Sequence, residues 1–119
     1  MIGNRVQIVA VVEDDLGMLG GLNRLLLAHG FRVEKFTSAE SFLETKTEAD
    51  CLLLDIHLGG ISGIELRRRL TSLGVNLPVI FMTAVDNEIA RREALEVGCV
   101  AFLRKPFSAK LLLDAISGI

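Results

Sequence analysis

A chain of 119 residues and 13.0 kDa is the size of one domain, with no room for two independent cores. Half of its residues are hydrophobic and 24% are charged, which excludes a disordered or low-complexity chain. Thirteen basic against fifteen acidic side chains leave a net charge of -2, without the basic footprint of a nucleic-acid binder.

Along the chain, short apolar runs alternate with stretches of helical period, the pattern of a parallel sheet covered on both faces. The first strand is predicted from Val6 to Val12. Its apolar run from Ile8 falls far short of the roughly 18 residues a membrane span needs, and Met1 to Val6 lacks the layout of a signal peptide. Met18, Leu22, Leu25 and Leu26 mark the apolar stripe of a first helix, closed by Gly30 before a second strand from Phe31 to Phe36. Thr37 with Glu40 fits a capping box. A third strand is predicted from Cys51 to Leu54. It is followed by a helix carrying Leu66, Leu70 and Leu73 and closed by Gly74. The fourth strand spans Val79 to Met82, and Asp86 is a candidate N-cap for a helix with Ala90, Ala94 and Val97 facing inward, closed by Gly98. A fifth strand from Val100 to Leu103 leads, through Ser108 as N-cap, to a helix with Leu111, Leu112, Ala115 and Ile116 on its apolar side. That pattern is still apolar where it stops at Ile119, so the chain is expected to continue beyond it. Short loops and right-handed crossovers then give a three-layer α/β sandwich. Cys51 and Cys99 lie in apolar stretches without clustered ligand partners, as expected of packed thiols in a soluble cytoplasmic protein.

In an open parallel sheet, functional groups collect at the carboxyl ends of the strands. Here the strand ends carry Glu13, Asp14 and Asp15, then Asp55, then Thr83 and Ala84, then Arg104, Lys105 and Pro106. If the first and third strands are neighbours, about 4.8 Å apart, Glu13, Asp14 and Asp55 must converge. Crowded carboxylates raise one another's pKa unless a cation intervenes. A hard divalent ion such as Mg²⁺, held by one or two carboxylates and completed by a phosphate oxygen, is the natural remedy. Lys105 adds a second positive charge for a phosphoryl oxygen, the Thr83 hydroxyl can donate to another, and Ala84 leaves the approach open. The set reads as a carboxylate nucleophile within a charge-neutralising clamp.

These residues resemble the receiver domain of two-component response regulators over nearly the whole chain. The acidic pair after the first strand matches Glu13 and Asp14 in Val11-Val12-Glu13-Asp14-Asp15, and the phosphoacceptor matches Asp55 in Leu53-Leu54-Asp55-Ile56-His57-Leu58. The hydroxyl residue matches Thr83, the aromatic switch position matches Phe102, and the lysine followed by proline matches Lys105-Pro106. Thr83 lies 28 residues after Asp55 and Lys105 lies 22 after Thr83, spacings that agree with the family.

The resemblance implies a five-stranded sheet in the order 2-1-3-4-5 with five helices. It also implies a single receiver domain over residues 1–119, with any output domain outside this chain. Asp55 would accept a phosphoryl group from a phosphohistidine of a sensor histidine kinase. Mg²⁺ would be held by Asp14, Asp55 and the His57 backbone carbonyl, with Glu13 acting through a water. Thr83 would move toward the phosphoryl group, Phe102 would turn inward, and the Lys105-Pro106 bond would be cis. The domain would catalyse only its own phosphorylation and dephosphorylation, with His57 and Val85 lining the water approach and tuning the lifetime of the phosphorylated state. Arg91, Arg92 and Arg104 lie on the fourth helix and fifth strand, where the family docks partners or dimerises together with the fifth helix. The implied output is transcriptional control through an attached DNA-binding domain, with no nucleic-acid or membrane contact by this domain. Two positions depart from the family pattern: Glu13 stands where aspartate is more frequent, and Gly59 replaces a frequent proline, which should loosen the loop after Asp55.

Plainer readings stand beside these. Asp14 and Asp15 can serve as caps for the first helix, Thr83 can satisfy a strand end, Phe102 can be ordinary core, and Arg67, Arg68 and Arg69 can form a solvated helix face. A receiver-like module that only binds partners, without phosphorylation, is the alternative function. Flavin binding is disfavoured, because the first loop carries acids where a flavin phosphate wants hydroxyl and glycine donors. An aspartyl-phosphate phosphatase would usually carry an acid at the position of His57.

Overall fold

The structure, a computed structural model, describes residues 7–85 and 87–119. Val6, placed in the first strand, and Asp86, placed as an N-cap, lie outside the described residues. The elements follow in strict alternation: β1 Ile8–Val12, α1 Leu16–Ala28, β2 Arg32–Phe36, α2 Ala39–Leu43, β3 Cys51–Asp55, α3 Gly63–Ser72, β4 Val79–Thr83, α4 Glu88–Val97, β5 Ala101–Arg104 and α5 Ala109–Ser117. All strands are parallel, in the order β2-β1-β3-β4-β5. Each adjacent pair in the chain therefore needs a helical crossover, which places helices on both faces.

The sheet divides two apolar cores. Ala10, Val12, Leu52, Leu54 and Phe81 point to one side, where they meet Phe42 of α2, Leu66 and Leu70 of α3, and Ala90 and Ala94 of α4. Their neighbours Val9, Val11, Leu53, Ile80 and Met82 point to the other, against Leu19, Leu22 and Leu26 of α1 and Leu112 and Ile116 of α5. This two-residue alternation is why β1, β3 and β4, buried on both faces, are continuous apolar runs in the sequence.

Helix ends follow their capping chemistry, with some shifts from the sequence reading. Gly30, Gly74 and Gly98 adopt φ of 87°, 76° and 91° at the ends of α1, α3 and α4, the left-handed region in which a side chain is strained. Asn87 caps α4 by accepting from the Ile89 and Ala90 amides. Ser38 caps α2 by accepting from Ser41 N–H at 3.0 Å, displacing the expected Thr37. Glu40 does not reach back to complete a capping box; its carboxylate turns to the loop after β3. Leu73, expected on the inner stripe of α3, is its C-cap residue and 68% exposed, because the helix ends before the apolar period returns to the sheet. Leu111 likewise faces solvent, leaving Leu112 and Ile116 to seat α5.

No described helix is long and apolar enough to cross a membrane. Cys51 is buried, Cys99 is half-buried, and both are free thiols. Burial, helped by the nearby Asp50 charge, pushes the Cys51 thiol up to about 11 and keeps it protonated and inert.

Candidate functional site at the carboxyl edge of the sheet

Strand register brings the chargeable residues to one level. Val12 lies beside Leu54, so Glu13 and Asp55 emerge together, while Asp55 pairs with Met82 and Thr83 with Arg104. Ladder-like bonds continue past the strands and hold the first loop residues: Glu13 N–H donates to Phe36 O at 3.0 Å, Ile56 N–H to Met82 O at 2.9 Å, and Lys105 N–H to Thr83 O at 2.8 Å. The Lys105-Pro106 peptide bond is cis. Gly63 opens α3 directly over this edge, where an added Cβ would collide with the backbone carbonyl of Asp55.

Carboxylate oxygens of Glu13, Asp14 and Asp55 lie within 4.8 Å of one another. Glu13 is 0% exposed and Asp55 5%, whereas Asp14 faces solvent and gives the cluster its opening. Lys105 reaches in from the end of β5, its Nζ 2.5 Å from Glu13 Oε1 and 3.0 Å from Asp55 Oδ2. Glu13 Oε2 also accepts from Asp15 N–H at 3.1 Å, and Asp55 Oδ1 from His57 N–H at 3.0 Å. Among the described residues, no buried side-chain polar atom lacks a partner.

The electrostatics of this pair are asymmetric. Burial pushes the Glu13 carboxyl above its usual range, the Lys105 bond pulls it back only in part, and contact with Asp55 adds to the rise. Burial alone would lower Lys105, but its hydrogen bonds to Glu13 and Asp55 outweigh that and raise it above the ordinary 10.5. The ammonium is therefore locked in its charged form, while the acid deepest in the site resists ionisation. The donor set is all oxygen and carries more acid than Lys105 alone balances, which suits a hard divalent cation and not a soft one.

The remaining candidates lie around this centre. Thr83, 0% exposed, uses its hydroxyl locally, donating to Val85 O at 3.2 Å and accepting from Val85 N–H at 3.1 Å. Val85 and His57 are both exposed at the rim. Phe102 is half-buried against the core, with the Arg91 guanidinium 5.0 Å from its ring centroid. Arg91, Arg92 and Arg104 are exposed, and Arg92 pairs with Glu88 at 3.9 Å. Asp15 caps α1 through Met18 N–H, while Asp14 instead accepts from Gly59 N–H at 3.2 Å. The arginines of α3 do more than solvate a face: Arg67 donates to Gly98 O at 3.0 Å and Arg68 pairs with Glu93, tying α3 to α4. Sequence reading gave Glu40 only a capping role and passed over Gly63, both in contact with the loop or strand end that carries Asp55. A glycine directly after the Ser62 cap was the available signal for the second.

A doubly wound parallel sheet with an acidic cluster and an inserted lysine at its carboxyl edge defines the receiver class of signalling domain. The family model for the response regulator receiver domain matches residues 9–117, and this chain belongs to that family. It is 38% identical over 111 residues to nodulation protein W of Bradyrhizobium diazoefficiens, covering 92% of this chain and 49% of that protein. It is 34% identical to the transcriptional regulatory protein FixJ of Azorhizobium caulinodans, covering 91% of this chain and 52% of that one. Among solved structures, the response regulator StyR superposes with a TM-score of 0.86 at 42% identity, covering 96% of this chain and 59% of StyR. FixJ-N gives a TM-score of 0.87 at 31% identity, covering 95% and 92%. The chain spans about half the length of the curated relatives it matches.

Proposed function

We propose that this domain is a phosphorylation-controlled switch in which Asp55 accepts a phosphoryl group from the phosphohistidine of a sensor histidine kinase. The observation that carries the reading is the meeting of Glu13, Asp14 and Asp55 oxygens with the Lys105 ammonium at one strand-end pocket. A carboxylate oxygen of Asp55 attacks phosphorus, the P–N bond breaks, and the imidazole leaves with the bonding electron pair, giving an acyl phosphate. Lys105, held protonated, meets the charge on the phosphoryl oxygens. Asp14 and Asp55, the His57 carbonyl, and Glu13 through a water would hold Mg²⁺. When bound, the ion neutralises charge on the phosphoryl oxygens. Water attack on phosphorus returns Asp55 and releases phosphate, and His57 and Val85 at the rim set how readily that water arrives. The domain thus acts on itself alone.

The readout runs through Thr83 and Phe102. The Thr83 hydroxyl exchanges its two bonds to Val85 for a phosphoryl oxygen, and Phe102 leaves Arg91 and turns inward. A coupling of about 1 to 3 kcal/mol shifts a two-state equilibrium roughly 5- to 150-fold. The surface so altered carries Arg91, Arg92 and Arg104 and includes α4, β5 and α5, which serves partner binding or a homodimer. The FixJ relative, a transcriptional regulatory protein, supports transcriptional control through an attached DNA-binding domain outside this chain.

Incubation with a small-molecule phosphodonor and Mg²⁺ should add one phosphoryl group per chain, measured as intact mass, and excess EDTA should prevent it. Uptake that persists unchanged in EDTA contradicts the metal-assisted reading. No uptake under either condition favours a partner-binding module without phosphorylation.

A further inference from the structure

Three alternate backbone amides in the loop between β3 and α3 each end on a carboxylate. His57 N–H donates to Asp55 Oδ1 at 3.0 Å, Gly59 N–H to Asp14 Oδ2 at 3.2 Å, and Ile61 N–H to Glu40 Oε2 at 3.1 Å. The first two acceptors belong to the acidic cluster; the third reaches across from the first turn of α2. Gly60 sits between the last two amides at φ 80°, and a Cβ there would collide with Glu40 Oε2. The Glu40 carboxylate, though on an exposed residue, therefore lies against the loop backbone.

We infer that Glu40 is a positioning residue for the cation site: it anchors the far end of the loop that carries His57 when Asp14 is drawn from the Gly59 amide to the metal. The inference rests on the metal-assisted reading above. If Asp14 Oδ2, which now accepts from the Gly59 amide, turns to the cation, the loop gives up that tether just when its His57 carbonyl is needed. Glu40, outside the cluster, keeps its own tether at Ile61. Only the position of its oxygen matters to this role, not its charge.

The test is Mg²⁺ titration of the intact chain by calorimetry, with the Ile61 and Gly59 amides followed by ¹⁵N NMR. Glu40→Ala should weaken Mg²⁺ binding about five-fold, below the roughly 10- to 100-fold typical of buried outer-shell partners because the site is exposed. Glu40→Gln, which keeps the acceptor, should bind within about two-fold of the parent. Glu40→Asp, which keeps the charge but withdraws the oxygen by one methylene, should resemble Glu40→Ala. On Mg²⁺ addition the Gly59 amide should shift strongly in the parent while Ile61 holds its position. Equal affinity in the parent and Glu40→Ala overturns the inference alone. Affinities that follow charge, with Gln as weak as Ala and Asp like the parent, also overturn it. A parent that fails to bind Mg²⁺ overturns the metal-assisted reading and this inference together.

Discussion

Asp55→Asn is expected to reduce phosphoryl uptake to background while leaving the fold intact. Asparagine occupies the same volume and offers an amide oxygen to Lys105 Nζ or His57 N–H, the two partners that Asp55 now has. It also removes one of three crowded acids, which relieves repulsion in the unphosphorylated protein. Thermal stability should therefore stay within about 1 kcal/mol of the parent, so that lost uptake reports lost nucleophile and not lost structure. The amide oxygen is a poor nucleophile and cannot form the acyl phosphate. Full uptake in this variant, measured as intact mass after exposure to the phosphodonor, would contradict the assignment of Asp55.

Lys105→Met is expected to lower both uptake and stability. Methionine matches the length of the stem but leaves Glu13 and Asp55 buried without their shared cation. Removing one partner of a buried ion pair costs about 3 to 5 kcal/mol. Because Glu13 can answer by taking a proton, about 2 to 3 kcal/mol is expected here, a fall of about 10 °C in melting temperature. Uptake should drop about 100-fold for loss of one charge from the clamp. The pH dependence separates these effects. In the parent, the stabilisation from Lys105 is complete below 10.5 and fades as pH rises through its raised folded value. The variant lacks this alkaline loss, so the gap between the two proteins should narrow above pH 10.5. Glu13, already raised above 4.5, rises further without the lysine bond, so the variant should lose stability as pH climbs from 4.5 toward neutrality. Denaturant titrations across pH check both slopes; a variant as stable as the parent at pH 7 would show that Lys105 is not the counter-charge of this pocket.

The α/β order was legible because β1, β3, β4 and β5 are short apolar runs ended by a charge or hydroxyl, β2 alternates, and three helices end on a glycine whose positive φ other residues avoid. The meeting of Glu13, Asp14, Asp55 and Lys105 was legible too, since parallel strands put their carboxyl ends on one edge. What escaped was decided by local backbone geometry or by partners distant in the chain. Nothing local distinguishes Thr37 from Ser38 as a cap; the backbone chooses Ser38, whose extended φ and ψ let its oxygen face Ser41 N–H. Arg67 and Arg68 read as solvated because their acceptors, Gly98 O and Glu93, arrive from α4. Gly59 was expected to loosen its loop, yet its N–H, which proline would lack, ties the loop to Asp14. The role of Glu40 was hidden for the same reason: its acceptor oxygen serves a loop 21 residues further on.

Location of the phosphoryl group is the most direct test of the account. Borohydride reduction converts an aspartyl phosphate to homoserine, so the phosphorylated chain can be reduced, digested and sequenced by mass spectrometry. The account predicts homoserine at residue 55 alone. Homoserine at Asp14 or Asp15, or a stable phosphohistidine at His57 with Asp55 unmodified, would contradict it.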